Sequence, residues 1–217
     1  MATVLVIGSH GRVGQRIVKK LANAGQDVVA GFRSPDQFET VAGLANVTPA
    51  VFDLAANELT MVDFLNQQKI DQVVFSAGAG GKGGAERTVD IDLDGAVKTM
   101  DAAKKAEIQH YVMVSAAGAD DRTRWEKSGI YTYFVLKHYA DRILRQTGLP
   151  ATIVRPTSLT DDAGTGRVSL NVDFDQGPLS IARDDVADFV VAVLAHDNTI
   201  NKTYDLTAGD QAIQDLF

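Results

Sequence analysis

From Thr3 to Leu21 the chain runs through an uncharged stretch, TVLVI, then three equally spaced glycines, Gly8, Gly11 and Gly14, and then a segment in which Val13, Ile17, Val18 and Leu21 recur at helical spacing. An apolar run without alternation is the pattern of a strand buried on both faces. The periodicity that follows is that of an amphipathic helix. The glycines therefore mark a strand-to-helix turn that something approaches closely. The first turn of a helix carries unpaired N–H groups and the positive end of the macrodipole, so backbone alone binds a phosphate there if no side chain intervenes. Gly8 permits the tight turn, Gly11 admits a pyrophosphate, and Gly14 lets the helix pack closely. Gly8, Ser9, His10, Gly11, Arg12, Val13 and Gly14 are thus the expected core of a dinucleotide site. A glycine-rich turn with no ligand is the plainer alternative.

The same alternation continues along the chain. Strand patterns fall at residues 3–7, 27–32, 47–52, 72–76, 110–115 and 151–155, with a short one near 203–206, and helical patterns at 12–24, 35–42, 58–67, 85–106, 131–147 and 184–195. Strict β-α alternation predicts an α/β fold with a doubly wound parallel sheet, because parallel strands need crossover connections. At 217 residues this is one domain, with residues 156–217 forming a small lid region on the substrate side. In such sheets ligands bind beyond the carboxyl ends of the strands, where the strand order reverses. The expected lining is therefore the glycine turn, Arg33 and Ser34, Asp53 and Leu54, Ala77 and Gly78 in AGAGGKGGAE, Ser115, and Pro156.

Composition narrows the chemistry. There is no cysteine, and His10, His110, His138 and His196 lack ligand spacing, so no metal site is expected. No apolar run reaches about twenty residues and no basic leader is present, which predicts a cytoplasmic protein, monomer or homodimer, with no membrane contact. A net charge of −7 argues against nucleic acid. The local positive charge of Arg12, Arg16 and Arg33 then reads as serving a small anionic ligand. In VVAGFRSPDQ, the end of the second strand carries Arg33 and Ser34 where an NAD site usually has a carboxylate for the ribose. An arginine fork and a hydroxyl suit a 2′-phosphate, which predicts NADP, with NADPH preferred over NADH. A solvated surface arginine is the alternative.

GSHGRVG, FRS, FDL, SAGAGG, DLDGAVKTMDAAKKAEIQHYVMVSAAGAD, TGLPATIVRP and RDDVA together resemble the atypical short-chain dehydrogenase/reductase group of NAD(P)-binding, NmrA-like proteins, which includes biliverdin and flavin reductases and sugar epimerase-related proteins. The resemblance spans almost the whole chain. It implies a Rossmann fold and NADP but no particular substrate. In IYTYFVLKHYADRIL, Tyr133 and Lys137 stand four apart on one helical face. A lysine there lowers the phenol's pKa and holds the nicotinamide ribose, so Tyr133 exchanges a proton with a carbonyl oxygen, and Ser115 hydrogen-bonds the same oxygen. The order Ser115, Tyr133, Lys137 resembles the catalytic set of ordinary short-chain dehydrogenases; the alternative is a packing Tyr133 and a Lys137 that only binds ribose. Elsewhere, His10 either donates to a phosphate or is exposed, His138 is expected at the surface, Trp125 either belongs to the core or lines a planar ligand pocket with Tyr131, Tyr133 and Phe134, and two of Asp90, Asp92 and Asp94 face solvent. The short tail disfavours a nucleotide sugar. The leading reading is an NADP-dependent reductase of a small carbonyl, quinone or flavin-like substrate; the alternatives are a non-catalytic NADP-sensing regulator and a sugar epimerase-related enzyme.

Overall fold

Apolar and amphipathic segments alternate into a single nine-stranded sheet; the computed structural model describes residues 2–81 and 83–217, so Lys82 of the glycine-rich loop lies outside it. In chain order the first half comprises β1 (Thr3–Ile7), α1 (Arg12–Asn23), β2 (Asp27–Phe32), a 3-10 turn (Pro35–Val41), β3 (Val47–Val51), α2 (Glu58–Gln67) and β4 (Gln72–Phe75). There follow α3 (Gly84–Thr88), a π-helical turn (Val89–Gly95), α4 (Ala96–Lys105), β5 (His110–Val114), α5 (Arg122–Lys127), α6 (Tyr131–Thr147) and β6 (Ala151–Pro156). The C-terminal part holds β7 (Ser158–Thr160), β8 (Arg167–Ser169), β9 (Ser180–Ala182), α7 (Arg183–Leu194), β10 (Thr203–Ala208) and β11 (Gln211–Ala212).

The sheet order is β11-β8-β10-β6-β5-β4-β1-β2-β3, and the run from β10 to β3 is parallel throughout. β8 runs antiparallel to β10 and β11, while β7 and β9 form a separate small pair. Strand order reverses between β1 and β4, which both neighbour one another and lead outward in opposite directions, so the expected doubly wound arrangement is present. Alternation within strands feeds two cores. Val4 and Val6 of β1 pack with Ile17, Leu21 and Phe189 from α1 and α7. Leu5 and Ile7 pack with Met61, Met100 and Leu144 from α2, α4 and α6. The side-chain period of two dictates this split.

Two expected helices differ in kind. Pro35 opens a 3-10 turn rather than an α-helix, and the expected helix over 85–106 is interrupted by the π turn. α5, β7, β8, β9 and β11 are too short for periodicity to reveal them. Across the α1–α7 packing, Lys20 sits 2.9 Å from Asp184 and 2.8 Å from Asp188. Among the described residues no helix is long and apolar enough to cross a membrane.

Candidate cofactor and active site

The three glycines serve three different needs. Gly8 has φ +89°, and a Cβ there would lie 2.7 Å from the Ala77 backbone nitrogen, so the turn after β1 touches the loop after β4 directly. A Cβ on Gly14 would lie 2.3 Å from the Gly8 carbonyl oxygen, so this glycine lets α1 close onto the turn itself. Gly11 is different: its Cβ would meet only the Gly8 oxygen at 3.1 Å, and the rest of its surroundings are open. Gly11 is the N-cap of α1, with no side-chain cap and no acidic residue in the first turn. The uncapped N–H groups and the space beside Gly11 fit a phosphate.

Other residues of the turn are already engaged. Ser9 is fully buried; its hydroxyl donates to the Val6 carbonyl at 2.8 Å and its N–H to Gly31 at 3.1 Å, so it shapes the turn. Val13 lies in the core. His10 is exposed, its Nδ1 3.1 Å from the Thr40 hydroxyl. Arg12 pairs with Asp161, which also takes Arg183 at 3.0 Å and Arg16 at 3.7 Å. Part of the positive charge that the sequence suggested for an anion is thus balanced by the chain's own carboxylates. Arg33 remains exposed at the end of β2, with no ion pair among the described residues. Beside it, the nearby Ser34 hydroxyl, with the Asp36 backbone, Arg33 and His10, holds the Asp36 carboxyl below its ordinary pKa. Asp53 accepts the Ala55 N–H at 2.9 Å, Leu54 packs toward Gly95, and the Pro156 carbonyl accepts the Ala117 N–H at 2.9 Å.

The other side of the cleft is built from charged side chains. Lys137, on α6, is buried and its ammonium lies 3.1 Å from Asp92, itself buried, and 5.6 Å from the centre of the Tyr133 ring. Burial opposes the charge on Lys137, but Tyr133, Asp92 and Asp141 outweigh it and its pKa is raised. Tyr133 is half-buried, and burial raises its phenol pKa; Lys137 pulls the other way, while Asp92 and Asp141 add to the rise. The expected lowering by lysine is therefore present in sign and overwhelmed in size. Ser115, 4% exposed at the end of β5, has a hydroxyl with no hydrogen-bond partner. Asp141 is near enough to feel that hydroxyl, but the two make no hydrogen bond of good geometry, and one Asp141 oxygen is likewise without a partner.

Beyond Asp141, Arg155 of β6 bridges that buried carboxylate at 2.7 Å and the exposed Asp120 at 2.8 Å. His138 is not a free surface residue: its Nδ1 lies 2.9 Å from Asp120 and its ring packs on Trp125, whose indole N–H donates to the Gly118 carbonyl at 3.2 Å. Sequence reasoning missed Asp92, Asp141 and Arg155 as members of this group. The aspartate triplet 90, 92 and 94 signalled that one carboxylate could point inward, but flanking residues do not single out Asp92, since Asp90 too lies between apolar neighbours, Val89 and Ile91. Two grooves lie away from the cleft: one of about 720 Å³ lined by α1 residues with Thr40 and Leu44, and one of about 390 Å³ lined by Ser169, Asp173, Pro178 and Thr207.

A family model described as NAD(P)H-binding matches residues 8–197. The chain is 39% identical to the uncharacterized sugar epimerase YhfK of Bacillus subtilis (strain 168), over 97% of this chain and 96% of that protein. It is 36% identical to UPF0659 protein YMR090W of Saccharomyces cerevisiae, over 97% and 95% respectively. Its structure superposes on that of the oxidoreductase ylbE from Lactococcus lactis with a TM-score of 0.87, 30% identity, and coverage of 98% of this chain and 93% of the other.

Proposed function

The chain belongs to the NAD(P)H-binding family, and from that premise we propose that it is an NADPH-dependent reductase of a small carbonyl, quinone or flavin-like molecule. The observation that carries this reading is the Tyr133 ring 5.6 Å from the ammonium of a buried lysine, Lys137, in a fold whose first helix has an open, uncapped N-terminus. Gly11 and the first turn of α1 would hold the pyrophosphate, Arg33 with Ser34 the 2′-phosphate, and Lys137 the nicotinamide ribose. Bound NADPH supplies the hydride. Tyr133 gives the proton to the substrate oxygen, and the Ser115 hydroxyl, buried and without a partner, would bind that oxygen once substrate reaches it. The name of the Bacillus relative supports a second reading, a sugar epimerase-related enzyme; the segment after β6, whose separate pair β7 and β9 has strands of three residues each, leaves little to grip a nucleotide sugar.

Turnover of NADPH with a panel of quinones, flavins and aldehydes tests the proposal. Tyr133→Phe keeps the ring and should lower turnover about a hundred- to ten-thousandfold with NADPH affinity retained. Full activity in that variant would discard Tyr133 as proton donor, and tight cofactor binding with no turnover on any acceptor would favour a cofactor-sensing regulator.

A further inference from the structure

Asp92 is an expensive residue to bury. It is 1% exposed, in a π turn whose other aspartates, Asp90 and Asp94, face solvent. Removing an ammonium and a carboxylate from water costs more than their attraction returns unless further hydrogen bonds complete the pair, and an apolar pair of similar size is often as stable. Asp92 has those further contacts. One oxygen meets Lys137 at 3.1 Å; the other accepts the Ala79 N–H at 2.9 Å. The first oxygen also closes on Gly78, where a Cβ would lie only 3.2 Å away. Lys137 has one other contact of this kind, the Val114 carbonyl at 3.4 Å. One carboxylate thus ties the loop after β4 to the lysine of α6.

We infer that Asp92 is a positioning residue of this site: it holds the Lys137 ammonium against its own carboxylate, anchors it to the Ala79 N–H, and sets a carboxylate against ionisation of the Tyr133 phenol. This rests on the reading of Tyr133 as proton donor. The charged groups that face the phenol are Lys137 and Asp141 along α6 and Asp92 from the π turn, one cation against two carboxylates. The lysine draws the phenol toward ionisation, but burial together with Asp92 and Asp141 outweighs it. Reduction of a carbonyl takes a proton from Tyr133, whereas oxidation of an alcohol needs the tyrosinate as base.

Ultraviolet titration of tyrosine ionisation tests this without any substrate. The chain has five tyrosines, so the difference between wild type and Tyr133→Phe isolates one. Tyr133 should ionise above the ordinary value of about 10. Asp92→Asn keeps an oxygen for the Ala79 N–H but releases Lys137, and Tyr133 should then ionise about one pH unit lower or more, read against Asp92→Asn/Tyr133→Phe. Asp92→Glu should restore the wild-type titration. An unchanged titration in Asp92→Asn overturns the inference, as does ionisation of Tyr133 at or below the ordinary value in wild type, a measurement that stands even if Asp92→Asn does not fold. Because no turnover is involved, an inactive protein would sink the reductase reading and leave this result intact.

Discussion

On the cofactor side of the cleft, at β1, β2 and the start of α1, polar contacts are offered by backbone: the uncapped turn at Gly11, with Gly8 and Gly14 shaped by close approach. On the proton side, at β5, β6 and α6, they are made by side chains that are mostly buried: Lys137 with Asp92, and Arg155 with the buried Asp141 and the more exposed Asp120. The two sides reach readiness differently. Backbone donors at a helix end need no charge of their own and stay hydrated until a phosphate arrives. Buried ions must be matched in advance, because an unmatched one destabilises the fold. The first side has unpaired donors that suit an anion; the second is already matched in charge.

Breaking the second side should therefore show in stability. Arg155→Met leaves Asp141, fully buried, without its partner. The expected loss is about 3–5 kcal/mol in denaturant unfolding, the usual consequence of stranding a buried charge; a loss below about 1 kcal/mol would mean that this cluster is as tolerant as the open turn. On the first side, the glycines should separate. Gly14→Ala drives a methyl into the Gly8 carbonyl and should cost about 3 kcal/mol, at the upper end of overpacking effects. Gly11→Ala has to displace that oxygen only slightly, so stability should stay within about 1 kcal/mol while NADPH affinity falls. Equal unfolding midpoints for the two variants would erase the distinction between a packing glycine and a binding one. The smallest effect belongs to the exposed Arg33. Arg33→Ala should leave the melting temperature unchanged and weaken NADPH about ten- to a hundredfold, for a charge-assisted contact of roughly 1.5–3 kcal/mol, with NADH unaffected. Calorimetric titration with both cofactors checks it, and equal losses would remove the 2′-phosphate from Arg33.

The same contrast explains what could be read in advance. The glycine turn lies within eleven residues of sequence, from Val4 to Gly14, and the physical demand on each glycine is local, so spacing alone exposed it. Strand and helix positions followed from periodicity, and the boundaries of α2 and α6 match the pattern directly. Arg155, by contrast, sits in a strand that reads as an ordinary apolar segment, and its partners Asp120 and Asp141 are 35 and 14 residues away. Nothing in the local sequence distinguishes such an arginine from a strand-edge residue facing water. The engagement of Arg12 by Asp161, 149 residues on, was hidden for the same reason. Tyr133 and Lys137 were visible as a pair, but the balance of charges on them was not, because Asp92 reaches them through the fold.

The π turn from Val89 to Gly95 gives this arrangement its geometry. A regular helix advances about 100° per residue, and a π turn accommodates an additional residue within one winding, so the faces before and after it fall out of phase. Downstream of the slip, Ala96, Met100 and Ala103 lie against the sheet. Were the chain one residue shorter here, an unbroken α-helix could keep those three in the core only by rotating the upstream winding through roughly that angle, and Asp92 would turn away from α6. A single inserted residue would then be what puts a carboxylate where composition and hydropathy would never have placed one.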